Sequence, residues 1–412
     1  MIHENPVKYN SAVAPVDITA PQFKANPFPF FALLRAEAPV YRMSLPDKTK
    51  LTLVTRYEDV NLLLKDERFV KSVKNALPAE QQPKQWWMPS TLRALERNML
   101  DLDGADHTRL RGLVHKAFTP RLVEQMRARV QSLVDELLDK AQQKGSMDLI
   151  ADFALPLPMT IITEILGVPA KDHVKFHKWS QAMVSATPAS ASPRLIFDIW
   201  SFVRYVRSFI KMRRADLKDD LVSALIQAEE AGDTLSDDEL LAMIVILLIA
   251  GHETTVNLIG SGTLALLQNP TQMDMLRSDP ALIKSAIEEL VRFASPVMLA
   301  TERYASEDIT LHGVTIPRGE LTFAALVSAN HDEAVFEQPE TLNITRTNNK
   351  HLAFGQGAHY CVGAPLARLE AQIAIETMLR RLPDLRLSVP ADSLRWRKSL
   401  IMRGLVKLPV EF

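Results

Sequence analysis

Cysteine is almost absent: Cys361 is the only one in 412 residues. No intramolecular disulfide can form, and a cysteine-built zinc site is excluded. Such usage fits a reducing compartment, so the cytoplasm is the expected location. Glycine is scarce as well, at 14 residues, while long segments keep a helical apolar period, which predicts a mainly α architecture. Neither charge sign dominates, with 48 Lys and Arg against 49 Asp and Glu. No cationic excess therefore points to nucleic acid or an anionic membrane as partner. The first ten residues hold no apolar signal-peptide core. The longest apolar run, residues 240–251, falls short of the ~20 residues a bilayer span needs and reads as buried helix. What is present is ample apolar surface, 47% of residues, enough to offset chain entropy in an ordered globular protein.

Along the chain, residues 1–25 read as irregular, broken by Pro6, Pro15 and Pro21. A helix is expected at 28–38, a hairpin at 40–44 and 51–55 through Pro46-Asp47, and a helix at 57–65. Residues 74–99 carry Pro78, Pro83 and Pro89 with the pair Trp86-Trp87, the mark of a functional loop. Helical patterns follow at 107–117, 121–144, 158–166, 171–185, 195–212 and 217–232. The longest, 236–269, opens with Ser236 and Glu239 at capping-box spacing. After a helix at 280–293, short β-like pieces run to residue 323, with turns at His312-Gly313 and 317–319. A loop over 330–363 precedes a helix at 364–381 and a β-like tail at 394–412. No repeat, low-complexity tract or linker divides the chain, so one domain over 1–412 is expected.

The loop Phe354-Gly355-Gln356-Gly357-Ala358-His359-Tyr360-Cys361-Val362-Gly363 concentrates three of the glycines. Such a loop lets backbone approach a group closely. Cys361 stands just before a helix, where the dipole favours thiolate over thiol. A thiolate can be a nucleophile or a soft metal ligand; a buried structural cysteine is the plain alternative. The run Phe-x-x-Gly-x-His-x-Cys-x-Gly resembles the haem-thiolate signature of the cytochromes P450, matched at Phe354, Gly357, His359, Cys361 and Gly363. The resemblance implies haem b (iron protoporphyrin IX) with Cys361 on its iron, and Phe354, Gly355 and Gly363 close to the sulfur or the macrocycle. It also implies the P450 fold, a triangular prism of helices with small β-sheets.

Other segments agree in order and spacing across about residues 28–405. Glu289 and Arg292 share a helix face, and with Arg346 they resemble the family's Glu-Arg-Arg network, which holds the haem loop. A surface ion pair would show the same spacing. In the long helix, Ala250-Gly251-His252-Glu253-Thr254-Thr255 puts a glycine and a polar cluster after an apolar run, both costly in a buried helix. A local bulge over the haem would explain them. By resemblance, Ala250, Gly251 and Thr255 contact haem, Glu253 delivers protons through water and Thr254 hydrogen-bonds dioxygen. A zinc reading of His252-Glu253 fails, because Val256 stands where the second histidine of His-Glu-x-x-His belongs. His107 and Arg111, four residues apart, with Arg303 and His359, match the family's donors to the haem propionates.

The resemblance implies a monooxygenase acting with O₂ on a C–H bond of a hydrophobic small molecule, such as a polyketide, macrolide, terpenoid, steroid or fatty-acid-like compound. It is nearest in appearance to soluble bacterial polyketide and macrolide hydroxylases. Substrate contacts are expected from Trp87 and Met88 beside Trp86, Leu247 and Ala250, Val297 and Leu299, and Ile401 with Met402. No flavin or iron–sulfur module is visible, so electrons are expected from a ferredoxin or flavodoxin with its NAD(P)H-dependent reductase. Arg109, His115, Lys116 and Arg121 offer a complementary patch. A monomer without a nucleic-acid or membrane partner is expected. Rival readings are a non-oxygenating P450 performing coupling or isomerisation, a haem sensor or carrier, and a haem-free enzyme using Cys361 as nucleophile beside His359.

Overall fold

The computed structural model describes residues 16–82, 93–173, 175, 176, 179, 193–230 and 235–412. Helices dominate and strands are short, as the patterning predicts. Trp86, Trp87 and Met88 lie outside the described residues, as does most of the expected helix 171–185. The chain divides into two compact units: Met1–Gln82, Ser261–Cys361 and Pro390–Val406 in one, Pro83–Gly260, Val362–Val389 and Lys407–Phe412 in the other.

The first unit is organised by a five-stranded sheet in the order Val40–Ser44, Lys50–Val54, Leu321–Ala324, Arg303–Ala305, Phe69–Val70. Its hairpin pairs Val40 with Val54 through to Ser44 with Lys50, turning over residues 45–49, where Lys48 takes φ 69°. Polar–apolar alternation is weak in Lys50–Val54 because both faces are covered. Leu51 and Leu53 pack with Phe31, Leu34, Tyr41 and Phe323 on one side, while Val54 packs with Val60, Leu63, Phe69 and Ile316 on the other. Helix Phe28–Glu37 supplies Phe31 and Leu34, and helix Tyr57–Lys65 supplies Val60 and Leu63.

In the second unit, helix Arg127–Gln142 buries Val130, Leu133, Val134, Leu137, Leu138 and Ala141. That i, i+3, i+4, i+7 stripe packs on helix Ala364–Arg381. Arg381 reaches across to Asp135 at 3.0 Å. A small sheet joins Ser146–Asp148, Pro409–Glu411 and Arg386–Leu387 in that order, and the wide turn Leu149–Ala154 follows its first strand.

Three expected helices change shape. The one at 107–117 begins three residues earlier, at Gly104. The one at 121–144 splits at Met126 into Pro120–Gln125 and Arg127–Gln142, and Thr119 Oγ1 caps the first piece by accepting from Leu122 N at 3.2 Å. The one at 217–232 starts at Leu221, because Asp220 accepts from Ser223 N at 2.8 Å and pairs with Arg213 at 2.7 Å.

The longest helix, Asp237–Gln268, opens with the expected reciprocal cap. Ser236 N donates to Glu239 Oε2 at 2.8 Å, and Glu239 N donates to Ser236 Oγ at 3.2 Å. By length and composition it could cross a bilayer, yet 67% of its most apolar stretch is buried inside the protein, which makes it a core helix.

Candidate functional site

Cys361 is exposed at the end of a loop with several backbone hydrogen bonds. Its N–H donates to Phe354 O at 2.9 Å, Gly355 N donates to Leu352 O at 2.8 Å, and Tyr360 N donates to Gly357 O at 3.1 Å. Gly355 and Gly357 both sit at positive φ, 72° and 70°. A Cβ on Gly357 would lie 2.7 Å from Leu64 O, so the loop seats against helix Tyr57–Lys65 only because that residue is glycine. Gly363 directly precedes helix Ala364–Arg381, whose N-terminal end is thereby brought close to the thiol in sequence.

Behind the loop lies a buried ion network. Arg292 Nε and Nη2 donate to the two Glu289 oxygens, each at 2.8 Å, with both side chains fully buried. Arg346 Nε donates to the same carboxylate at 3.1 and 3.2 Å, and Asn349 Nδ2 and Asn343 N add two more donors. With its lone pairs met so fully, the buried carboxylate costs far less than an unpaired charge would. Arg292 Nη1 donates to Asn330 O at 2.8 Å, while Leu352 N donates to Asn330 Oδ1 at 2.7 Å. Asn330 therefore links the network to the strand of chain leading into Phe354. Sequence patterning did not single it out; its signal is only the start of a long loop.

On the long helix, Leu247, Ala250, Gly251 and Thr254 share one face and are accessible, as are Ile246 and Ile249, while His252, Glu253, Thr255 and Val256 are buried. The expected bulge is not formed: the helix runs unbroken through the polar cluster. Gly251 has a packing reason instead, since a Cβ there would sit 3.2 Å from two Ile162 carbons. The Thr254 hydroxyl donates to Ala250 O at 2.9 Å, and His252 Nδ1 bonds Leu248 O at 2.8 Å, which turns that imidazole along its own helix.

The expected propionate donors separate by unit. His107 is buried and Arg111 half-buried on helix Gly104–Ala117. Arg303 is 6% exposed and donates to Phe69 O at 3.1 Å, while His359 is half-buried in the cysteine loop. Among expected substrate contacts, the segments around residues 297 and 401 are paired: Val297 bridges Met402, and Met298 N donates to Ile401 O at 2.7 Å. Val297 and Ile401 are partly accessible, but Leu299 is fully buried in the core with Met298, Tyr41 and Phe323. Its side chain backs that wall and does not form its surface.

The family model for cytochrome P450 matches residues 13–385. The polyketide biosynthesis cytochrome P450 PksS of Bacillus subtilis is 42% identical over 94% of this chain and 96% of its own. The chain belongs to the cytochrome P450 family. The P450 monooxygenase PikC of Streptomyces venezuelae is 41% identical over 95% of this chain and 92% of its own. The structure of P450BioI, in complex with an acyl carrier protein bearing hexadec-9Z-enoic acid, superposes with a TM-score of 0.85 at 39% identity, covering 95% of this chain and 99% of that one.

This P450 is thus an oxidoreductase of a bacterial monooxygenase group related to polyketide and macrolide hydroxylases, and the family cofactor is haem-thiolate. The residues present fit that group. An accessible cysteine ends a loop with two positive-φ glycines, and a core helix presents Ala250, Gly251 and Thr254 as accessible small or hydroxyl residues.

Proposed function

We propose that this P450 inserts one atom of O₂ into a C–H bond of a hydrophobic small molecule, with haem b held by Cys361. The observation that carries the reading is the accessible Cys361 sulfur at the end of a loop braced by the Glu289–Arg292–Asn330–Leu352 chain of bonds. A thiolate-ligated haem, when bound, supplies reduction of O₂ and cleavage of the O–O bond. Cys361 binds the iron as thiolate, favoured by the following helix N-terminus. Phe354, Gly355 and Gly363 shape the sulfur side, and Ala250, Gly251 and Thr255 the helix side. His107, Arg111, Arg303 and His359 hold the propionates through charge-assisted bonds.

The Thr254 hydroxyl, parked on Ala250 O, reorients to donate a proton into the reaction space. Glu253, 8% exposed, passes protons to it through water. With haem bound, the net reaction would consume two electrons and two protons, and the second oxygen atom would leave as water. Leu247, Ala250, Val297 and Ile401 give the substrate space apolar walls, with Leu299 behind them and Trp87 and Met88 contributing from their loop. The relatives' names make polyketide-like and long-chain acyl compounds the first to test. Electrons arrive from a separate ferredoxin or flavodoxin with its NAD(P)H-dependent reductase, and the enzyme works as a cytoplasmic monomer.

The deciding experiment is the CO difference spectrum of the dithionite-reduced, haem-loaded protein. A band at about 450 nm is expected, and Cys361→His should abolish it. Folded protein that takes up no haem would overturn the proposal.

A further inference from the structure

Outside the residues assigned to haem and substrate, the first unit buries a charge with no counter-charge. Arg403 is 6% exposed, its guanidinium 4.1 Å from the centre of the Trp396 ring and 5.3 Å from that of Phe28. Nε and Nη1 donate to Lys24 O and Ala294 O, both at 2.8 Å, and Nη2 donates to Ala25 O at 3.3 Å. A guanidinium has five N–H groups, so two remain after these three. Among the described residues no carboxylate pairs with it, and burial alone brings its pKa down to about 9. Lys24 is buried beside it and adds a second positive charge only below its lowered pKa of about 7.

Next to these cations opens a cavity of about 400 Å³. Its buried lining includes Arg403, Trp396 and Ser261, and the Ser261 hydroxyl, in a residue 3% exposed, has no hydrogen-bond partner. Leu264 and Ala265 extend the lining with apolar surface. The acidic Asp392 stands exposed on the rim, which disfavours highly charged anions.

We propose that this cavity binds a small organic carboxylate. Its two oxygens accept the two remaining Arg403 N–H groups and the Ser261 hydroxyl, and its short apolar tail lies along Leu264 and Ala265. A planar carboxylate matches the fork of a guanidinium edge, and the apolar walls select an organic acid over an inorganic oxyanion. Arg403 N also donates to Pro296 O at 2.9 Å, next to the Val297–Met402 bridge, so an occupied cavity stiffens the paired segments that carry Val297 and Ile401. That coupling rests on the substrate role proposed for those two residues; the carboxylate site does not.

Calorimetric titration of the haem-loaded full chain tests the site, with hexanoate, acetate, inorganic phosphate and 1-hexanol as probes at matched ionic strength. Hexanoate is expected to saturate one site, about ten-fold or more tighter than acetate because of its four extra methylenes, while 1-hexanol does not bind. Ser261→Leu, which fills the cavity and removes the hydroxyl, should weaken hexanoate at least about ten-fold with the CO band and circular dichroism unchanged. Arg403→Lys should weaken it too; if that variant does not fold, Ser261→Leu decides. Absence of saturable binding overturns the proposal, as does equal binding of 1-hexanol or tighter binding of phosphate. Hexanoate that binds Ser261→Leu as it binds wild type, while shifting the haem absorption, occupies the haem pocket and also overturns it. Failure of the monooxygenase reading would appear separately, in the CO spectrum.

Discussion

Lys24 is a lysine held in the protein interior, donating to Leu400 O at 3.2 Å and Met298 Sδ at 3.4 Å. Burial first, and the Arg403 charge second, lower its pKa from 10.5 to about 7, with Asp17 partly opposing them. Between those two values the unfolded chain holds a proton that the folded chain lacks, so stability rises with pH across that window. Below pH 7 both states are protonated and the full cost of burying the charge is present. Lys24→Met should therefore stabilise the protein by about 2–5 kcal/mol near pH 6, and the gain should shrink towards pH 10. Urea unfolding at both pH values measures it; an unchanged gain would mean that Lys24 stays charged. On the proton-delivery role proposed for Thr254, Thr254→Ala should leave the CO band in place while lowering product formation by about ten-fold or more. Hydrogen peroxide released per NAD(P)H should rise, and Thr254→Ser should restore much of the coupling. The motif singles out Thr254 and Glu253 as candidates, whereas nothing in the sequence marks the state of Lys24, because lysine at an unremarkable position gives no hint of what will pack over it.

Among the elements, the cysteine loop shows why a motif position has its residue. Gly357 was visible as a matched glycine, but its reason is the Leu64 carbonyl 2.7 Å from where a Cβ would be. Gly357→Ala should cost about 1–3 kcal/mol in strain and move part of the CO band from about 450 to 420 nm as the loop shifts. Asn330→Leu removes the acceptor of Leu352 N–H and should cost about 1–3 kcal/mol. Loss of the 450 nm band should then precede global unfolding in a urea titration. Simultaneous loss would show that Asn330 supports the unit as a whole and not the loop. The long helix teaches the converse. Its capping box was read correctly from Ser236 and Glu239, because caps are local and the spacing alone determines the bonds. Gly251 was misread as a bulge, because its cause is a neighbour distant in sequence, Ile162.

For the whole molecule, the net charge of −1 hides local balances. Of the four cations expected to face an electron donor, Arg109 is paired with Glu239 and Asp106. Burial, with the nearby Arg111 charge second, lowers the pKa of His115 from its ordinary value. His115, Lys116 and Arg121 are all exposed, and Lys116 and Arg121 are the two whose charge can be reversed directly. Lys116→Glu with Arg121→Glu should slow electron delivery from an acidic ferredoxin several-fold at low salt, and the difference should fade as ionic strength rises. Stopped-flow reduction at two salt concentrations checks this, and an effect independent of salt would remove the electrostatic role.

By itself the sequence determined the family, the cysteine proposed as ligand, the order of helices and strands, and the residues of the ion network. Each of these rests on local spacing or on a fixed run of residue types: a cap three residues apart, two charges on one helix face, a cysteine before a helix. Only the tertiary structure decided that Leu299 backs a wall, that Asn330 ties Arg292 to Leu352, and that Arg403 and Lys24 share an interior beside a cavity. Those facts depend on which distant segments meet, and burial, desolvation and the pairing of backbone groups exist only once they have met.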